Sequence, residues 1–362
     1  MAVAVDVQEA QAARVVQPRA TVIVLGYHGW HYVEPCLESL LDQDMALDSY
    51  EILYVDNESL DASAPRVRER FPQVRVLELD RNYGYAEGNN RGFAAARGEY
   101  VVFLNEDTVV HHSWLTELIA AVSASPDIAA AHANIIQPWY PEFEGIGERS
   151  FSQTAYTSEV NRLGYVQYEK LPEDAGVVDT LFLHGVCIIL RHDVGKELQY
   201  VFDSDFFAYA EDLDLGLRVR ALGYRSVVAS RAIVYHKHTL QTSANWVTVV
   251  KTVRIIRNRY LAFFKVMAGW EFVVMAAVLT LGAPFNSSEF GLGRLRQVVY
   301  GLALVPATLA ALVTTLFHLP RYMEKRRWIR DHAKQPGAWC LRALWRRRSG
   351  PRRKGLVGTD DW

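Results

Sequence analysis

Short apolar runs rich in β-branched residues alternate with helical stretches over the first hundred residues. This alternation limits the possible folds more than any other feature of the chain. The predicted strands lie at residues 21–25, 51–55, 74–79 and 100–104, with helical stretches from 27 to about 44 and near 60–71 and 85–97. Strands separated by helices indicate an α/β fold with a parallel sheet covered on both faces. Ligands of such sheets bind beyond the carboxyl ends of the strands.

Acidic and amide side chains follow two of these strands. Asp56 and Asn57 follow the second, and Asn105, Glu106 and Asp107 follow the fourth. We expect them to converge on one crevice, where carboxylates can hold a divalent cation that is shared with a diphosphate. An ordinary strand-to-helix turn is the alternative, and the cluster after the fourth strand, taken alone, favours it.

A second acidic cluster lies at a predicted helix start. Glu211, Asp212 and Asp214 follow the aromatic residues Phe206, Phe207 and Tyr209. A carboxylate partly shielded from water can act as a general base. The alternative is a helix start stabilised by negative charge.

Two further features are weaker signals. Residues 82–92 contain three glycines, among them Gly84, and three asparagines, among them Asn89, just before a helix. Such a loop lets the backbone approach a ligand, but a simple turn explains it equally well. His236 follows a predicted strand near 226–229, where it could reach a metal or a diphosphate, although a lone histidine is more often a packed or surface residue.

The net charge of −2 hides an uneven distribution of charge. Residues 320–354 contain 13 Lys or Arg and 2 Asp or Glu, which gives +11, while the remaining 26 basic and 39 acidic residues give −13. Uncharged stretches of 14 and 22 residues precede this basic stretch, at 272–285 and 298–319. About twenty apolar residues can span a bilayer as a helix, and adjoining basic residues are typical of the cytoplasmic side.

We therefore predict membrane association through an interfacial or re-entrant hairpin, with a buried helical hairpin as the alternative. The basic stretch would contact an anionic membrane surface. It lacks the signature of an RNA-binding module, so no nucleic acid partner is predicted. Three scattered cysteines, Cys36, Cys187 and Cys340, exclude a disulfide framework and favour a reducing, cytosolic setting.

Together these clusters resemble family 2 glycosyltransferases, and specifically their rhamnosyltransferase-like branch, over about residues 20–265. The order and spacing of the motifs make the resemblance specific. The matching motifs of the first half are Val22-Ile23-Val24, Val55-Asp56-Asn57-Glu58-Ser59, the stretch with Asn82, Gly84, Ala86, Gly88, Asn89, Asn90 and Gly92, and Leu104-Asn105-Glu106-Asp107-Thr108. Those of the second half are Phe206-Phe207, Tyr209, Glu211-Asp212, Asp214-Leu215, Arg218, Arg220, Gly223-Tyr224, His236 and Arg257-Asn258-Arg259-Tyr260.

The resemblance implies a GT-A fold, a Rossmann-like nucleotide-sugar-binding domain, here followed by a C-terminal helical membrane-associated region. The implied site residues are Asp56, Asn57, Gly84, Asn89 and Asn105 for the nucleotide sugar, Asp107 and His236 for Mg²⁺ or Mn²⁺, and Asp212 with Glu211 for catalysis. The chain departs from the family at Gly26-Tyr27-His28, where Asn-Tyr-Asn is usual. It departs again at Asn105, the first position of the Asp-x-Asp motif, so metal binding would rest on Asp107 and His236.

The implied activity is inverting transfer of a sugar to a polyprenyl-linked or glycan acceptor in cell-wall or surface polysaccharide synthesis. The expected donor is dTDP-rhamnose, ahead of UDP- or GDP-sugars, and the expected location is the cytoplasmic face of the cell membrane. The alternative is a membrane-bound nucleotide-sugar-binding protein without turnover, which the intact acid pair disfavours. The expected organisation is a disordered segment at 1–19, a catalytic domain at 20–267 with a lid or acceptor excursion at 138–178, apolar membrane-associated helices at 268–320 and a basic cytoplasmic tail at 321–362.

Overall fold

A computed structural model describes residues 17–136, 156–170, 176–237, 246–282, 305–335 and 339–346. The strands are β1 (Ala20–Gly26), β2 (Tyr50–Asp56), β3 (Arg75–Glu78), β4 (Tyr100–Asn105), β5 (Thr108–Val110), β6 (Ile128–Ile136), β7 (Tyr156–Val160), β8 (Val166–Lys170), β9 (Val177–Thr180), β10 (Cys187–Arg191) and β11 (Arg225–His236). The α-helices are α1 (Trp30–Leu41), α2 (Ser63–Arg70), α3 (Gly84–Ala95), α4 (Trp114–Ser123), α5 (His192–Glu197), α6 (Glu211–Ala221), α7 (Trp246–Val266), α8 (Gly269–Gly282), α9 (Val305–His332) and α10 (Trp339–Arg346).

Nine strands form one sheet, in the order β3-β2-β1-β4-β10-β6-β11-β5, with β9 paired to β11. The four strands predicted in the first hundred residues are present and parallel. β10 runs antiparallel to both of its neighbours, β4 and β6, and β11 is parallel to β6. The prediction of a parallel sheet, made from the first four strands, is therefore correct for β1 to β4. Beyond them, β5 and β9 pair antiparallel with β11, and the sheet is also antiparallel at β10. That strand follows a long excursion rather than a crossover helix, and antiparallel pairing needs no crossover.

Both faces of the sheet are buried, as its continuous apolar strands predict. Successive residues of β1 point to opposite sides, so Val22 packs into a core cluster with Trp114 of α4, and Ile23 packs into a second cluster with Phe202. Helices α1, α2 and α4 cover the first face, and α3, α5 and α6 contribute to the second. This arrangement leaves the carboxyl ends of β1, β2, β4, β6 and β11 along one edge.

Part of the predicted excursion at 138–178 is described, and it contains an antiparallel hairpin of β7 and β8. Its turn packs on the C-terminal helices: the Tyr165 hydroxyl donates to the Leu279 carbonyl of α8 at 2.6 Å, and the Trp345 indole of α10 donates to the Arg162 carbonyl at 3.2 Å. The rest of the excursion before β9 lies mainly outside the described residues. Its role as a lid stays a prediction.

The C-terminal helices build a third core cluster with α6 and α7. α9 crosses the boundary predicted at residues 320 and 321, and Lys325 and Arg326 of the predicted basic tail contact the body of the chain: Lys325 pairs with Asp203, and Arg326 donates to the Phe264 carbonyl. In the described part of the chain, no helix has the length and apolar character needed to cross a membrane. The predicted N-terminal segment up to residue 16, residues 283–304 of the predicted membrane-associated helices and the end of the tail from 347 lie outside the described residues.

Candidate active site

The residues predicted after β2, β4 and β11 lie at the same edge of the sheet. At this edge the His236 Nε2 atom lies 3.2 Å from the Asp107 Oδ1 atom, and the Lys237 amide donates to the Asp107 carbonyl at 2.9 Å. Asp107 is partly exposed, whereas His236 is buried. The structure thus brings together the two predicted metal ligands, which are far apart in the sequence.

Asp56 closes β2 as a buried carboxylate. Its Oδ1 atom accepts a hydrogen bond from the Ser59 amide at 3.3 Å. Burial raises the pKa of Asp56, and the Ser59 hydrogen bonds oppose that shift only in part. A carboxylate at this place suits a hydroxyl or N–H donor of a nucleoside.

Asn57 organises the Gly/Asn stretch rather than facing open solvent. Its Oδ1 atom accepts from the Tyr83 amide at 2.9 Å, and its Nδ2 atom donates to Asn82 Oδ1 at 3.0 Å. Gly84 then begins α3 with a φ of +73°, and an added Cβ atom there would lie 2.6 Å from Phe207 atoms. The left-handed backbone and the close approach of Phe207 both require glycine at this position.

Asn89 lies further along α3 and is buried. Its Nδ2 atom donates to the Tyr85 carbonyl at 3.0 Å, while its Oδ1 atom has no partner among the described residues. An orphaned buried oxygen is uncommon. Binding roles for Asn57, Gly84 and Asn89 stay predictions, since the structure gives each of them a packing or hydrogen-bonding role as well.

Glu106 lies between Asn105 and Asp107 and turns into the crevice. Both of its carboxylate oxygens lie 3.1 Å from the Tyr27 amide, which donates to them from the loop between β1 and α1. Burial raises the pKa of Glu106 to about 7. Asn105 itself ends β4, and its carbonyl accepts a 2.6 Å hydrogen bond from Thr108 Oγ1.

The acid pair begins α6. Asp212 Oδ2 accepts a hydrogen bond from the Gly185 amide at 3.2 Å, and Asp212 Oδ1 accepts from the Leu213 amide at 2.8 Å. Burial raises the pKa of Asp212 to about 6. Burial and the neighbouring Asp212 raise the pKa of Glu211 well above its usual range, and its Oε2 atom has no partner within the described ranges. Asp212 is therefore the better base of the two near neutral pH.

The backbone before the acid pair is strained. Phe207, Tyr209 and Ala210 have φ angles of +62°, +74° and +64°, which side chains other than glycine rarely adopt. The buried Asn258 side chain of α7 supports this segment, because its Nδ2 atom donates to the carbonyls of residues 206, 208 and 209 at 3.2, 3.2 and 2.8 Å. Strain held in place this way is typical of functional sites.

The donor set at Asp107 and His236 fits a divalent ion that completes its coordination with substrate. One carboxylate and one imidazole are few for a metal held by protein alone, and the described residues contain no cluster of three or more His, Cys, Asp or Glu that could hold one. Mg²⁺ commonly uses one or two carboxylates and takes its other ligands from phosphates and water. The pair therefore suits a metal that arrives with a diphosphate.

A sequence match identifies the family of the part of the chain that contains Asp56 and Asp107. The model of the family described as "Glycosyl transferase family 2" matches residues 21–198. The chain carries a glycosyltransferase family 2 domain. The match runs from β1 to β10 and includes Asp56 and Asp107, whereas Glu211 and Asp212 of α6 lie after it.

Curated relatives resemble the family 2 domain at low identity. An N-acetylglucosaminyl-diphospho-decaprenol L-rhamnosyltransferase from Mycobacterium tuberculosis is 27% identical over 207 residues, which cover 51% of this chain and 66% of the relative. The O-antigen biosynthesis protein RfbC from Myxococcus xanthus is 28% identical over 226 residues, which cover 58% of this chain and 17% of that protein. The chain also spans 24% of an uncharacterized protein from Sinorhizobium fredii, so it covers a quarter or less of some curated relatives.

Solved structures confirm the GT-A fold. A mannosyltransferase from Pyrobaculum calidifontis, solved with GDP-Man and Mn²⁺, superposes with a TM-score of 0.52 at 20% identity, over 91% of this chain and 86% of that one. GalNAc-T7, solved with UDP, GalNAc and Mn²⁺, gives a TM-score of 0.56 at 13% identity, over 77% of this chain and 52% of that one.

Two residues, Gly185 and Asn258, contribute more to the structure of this site than their place in the sequence indicates. Gly185 donates to Asp212, and its carbonyl accepts the Tyr85 hydroxyl at 2.6 Å, so it joins α3 to the acid pair. The sequence does not predict these hydrogen bonds of Gly185, because a single glycine before a strand is common. Asn258 offers a better signal, because a polar residue on the buried side of an amphipathic helix needs a partner.

Proposed function

We propose that this chain is an inverting glycosyltransferase that transfers rhamnose from dTDP-rhamnose to a polyprenyl-linked saccharide in cell-wall or surface polysaccharide synthesis. The observation that carries the proposal is Asp212, a carboxylate with a pKa of about 6, placed at the carboxyl edge of the sheet by Gly185. Such a group is mostly deprotonated at neutral pH and basic enough to take a proton from an acceptor hydroxyl.

The reaction follows from this placement. Asp212 takes the proton of the acceptor hydroxyl while the oxygen attacks the anomeric carbon from the side opposite the leaving group. The bond from that carbon to the nucleoside diphosphate breaks, which inverts the configuration. A Mg²⁺ or Mn²⁺ ion held by Asp107 and His236 would supply charge stabilisation for the departing diphosphate. Asp56 would contact the nucleoside, and the backbone that leads into α3 would border the sugar.

The relatives support the donor and the acceptor only by similarity. The Mycobacterium tuberculosis relative is an L-rhamnosyltransferase for a decaprenol-linked sugar, and the Myxococcus xanthus relative acts in O-antigen biosynthesis, by their names. A donor panel tests the proposal: full-length protein, lipid extract and Mg²⁺ or Mn²⁺ are mixed with dTDP-rhamnose, UDP-sugars or GDP-sugars, and nucleoside diphosphate release is measured. We expect release from dTDP-rhamnose and none with Asp212→Asn. Donor binding without release would favour a binding protein instead.

We also propose that the chain works at the cytoplasmic face of the cell membrane. Large apolar side chains of α8 and α9 are exposed, including Trp270 at 61%, Leu281 at 72% and Phe317 at 80%. Single exposed apolar residues are ordinary, but several on two contacting helices, followed by a basic segment, favour an interfacial contact.

Vesicle sedimentation tests the membrane contact. We expect the full-length protein to pellet with anionic vesicles, and Trp270→Ser with Phe317→Ser to reduce pelleting severalfold. High salt should release only part of the bound protein, because apolar burial survives screening of the basic segment. Binding that high salt abolishes completely, or no binding at all, contradicts the proposal.

A further inference from the structure

α7 carries a row of cations beside the segment that leads to the acid pair. Lys251, Arg254 and Arg257 follow one another at a spacing of three residues, so they lie along one side of the helix. The Lys251 Nζ atom lies 4.9 Å from the centre of the Tyr209 ring, and the guanidinium carbon of Arg254 lies 5.1 Å from the centre of the Phe207 ring. Both rings belong to the strained segment, which continues directly into Glu211 and Asp212.

Among the described residues, no carboxylate forms a salt bridge with this row, although Asp203 and Asp205 lie near enough to influence Arg257. Within the described part of the chain, neither Lys251 nor Arg254 forms a salt bridge, and the contacts found for them are those with the two aromatic rings. Arg257 donates from Nε and Nη2 to the Asn258 Oδ1 atom at 3.0 and 2.7 Å and likewise forms no salt bridge there. Burial lowers the pKa of Arg257 and the charge of Arg254 adds to that shift, while Tyr322, Asp205 and Asp203 oppose it only in part.

Lys251 is exposed, whereas Arg254 and Arg257 are partly buried and form no salt bridge among the described residues. An anion bound beside two partly buried guanidinium groups would stabilise their charge. The planar guanidinium presents paired donors that match phosphate oxygens, and a lysine adds a flexible third donor. The Tyr209 and Phe207 rings hold Lys251 and Arg254, respectively, beside the segment that leads to the acid pair, because each of these two cations lies over a ring. A phosphate is the anion that this combination suits best.

We propose that Lys251, Arg254 and Arg257 bind a phosphate or diphosphate group of the acceptor and so place the acceptor hydroxyl at Asp212. This inference rests on the proposed function and adds the class of acceptor, which is a phosphate-linked saccharide. The donor diphosphate has a separate place at Asp107 and His236. The row instead contacts the strained segment that precedes Asp212. Asp212, as the proposed base, acts on the acceptor and not on the donor.

The test compares Lys251→Gln and Arg254→Gln with the wild-type full-length chain. Arg231→Gln is the matched control, since Arg231 is an exposed cation on β11 outside the row. Initial rates are measured with a prenyl-diphosphate-linked sugar and with a glycoside of the same sugar that lacks phosphate. We expect KM for the phosphate-bearing acceptor to rise about 10- to 100-fold in each row variant, the range of one charge-assisted hydrogen bond.

Three further readouts should stay near wild-type values: KM for the phosphate-free glycoside, KM for the donor and every value of the control. A rise in donor KM would assign the row to the donor diphosphate and overturn the inference. Equal losses with both acceptors, or no loss with either, would overturn it too.

A binding measurement separates this inference from the proposed function. Calorimetric titration with farnesyl diphosphate is carried out in the presence of Mg²⁺ and saturating dTDP, which occupies the donor place. Binding to wild type that falls at least tenfold in Arg254→Gln supports the inference even if no donor is turned over, in which case only the proposed function fails. Absence of binding to wild type, or equal binding to the variant, contradicts the inference.

Discussion

Asp212 combines the two properties that a general base needs, a raised pKa and a fixed position. We expect Asp212→Asn to lower kcat about 10²- to 10⁴-fold, or roughly 3–5 kcal/mol of barrier, because the amide cannot accept the proton. Donor affinity should change little, since the proposed donor contacts lie at Asp56 and Asp107. An initial-rate assay beside a calorimetric donor titration checks both. Glu211→Gln is the control and should cost less; near-normal turnover by Asp212→Asn would show that Asp212 only starts the helix, a task that Asn performs well.

The pH dependence follows from the same carboxylate. Activity requires the deprotonated form, so kcat should rise with pH through about 6, the pKa of Asp212. Burial raises this pKa above its unfolded value of 3.8, so the folded state binds the proton more tightly and loses stability as pH rises through about 6. Asp212→Asn should therefore raise Tm at pH 8, with a gain that shrinks toward pH 4. A Tm that falls at pH 8 would contradict this account.

Asp107 and His236 give a separate prediction about the metal. Asp107→Ala should abolish divalent-dependent turnover, because one of the two proposed protein ligands is lost, whereas Asn105→Ala should be milder. Rates with added Mg²⁺ or Mn²⁺ and with excess chelator measure the effect. Full activity of the wild-type chain in chelator would remove the metal from the mechanism.

At the scale of elements, Asn258 of α7 donates hydrogen bonds to the strained segment, in addition to the ring contacts of Lys251 and Arg254. Asn258→Ala leaves three carbonyls without their donor, and one lost buried hydrogen bond costs about 1–3 kcal/mol. We expect a loss of about 2–4 kcal/mol of unfolding free energy together with a lower kcat, because the acid pair follows this segment directly. Urea unfolding and initial rates measure the two effects. Asn258→Asp is the isosteric control and should be at least as damaging, since a carboxylate cannot donate to carbonyls.

The elements also show what the sequence could predict. β1 to β4 and the helices between them were predictable, because β1, β2 and β4 are largely apolar runs bounded by polar residues and β3 keeps Val76 and Leu77 between Arg75 and Glu78. β11 was predicted only near 226–229, yet it continues to His236 past Ser230 and Arg231. The pairing of β11 with β6 shifts register between Ala229 and Ile233, which accommodates these polar residues. Beyond the shift, β11 also pairs with β5. Such a bulge depends on the neighbouring strands, and local sequence does not reveal it. Only the family resemblance predicted that Asp107 and His236 act together. Because β11 continues past the bulge, His236 at its end lies beside Asp107.

At the scale of the molecule, a buried network of ion pairs joins α9 to α6, the helix that carries Asp212. The Lys265 Nζ atom lies 2.7 Å from Asp203 Oδ2 and 2.5 Å from Asp214 Oδ1, and Lys325 of α9 lies 2.5 Å from Asp203 Oδ1. Asp214 is two residues after Asp212 on α6. Burial would raise the pKa of Asp203, but Lys265 and Lys325 together hold it below its usual value.

Removing the central cation of this network tests its role. Lys265→Met leaves two buried carboxylates without their shared partner, and breaking a buried pair from one side costs about 3–5 kcal/mol. Urea unfolding at pH 7 should show that loss, and adding Asp203→Asn in the same chain should recover part of it. Because the pKa of Asp203 is lowered by folding, its contribution is present at neutral pH and is lost as pH falls below about 3.8, its unfolded value.

Lys325→Met should cost less stability, since Lys325 is partly exposed, but it should lower kcat as well if α9 helps to hold α6 in place. Unchanged kcat in Lys325→Met would mean that α9 adds stability to the domain without positioning its base.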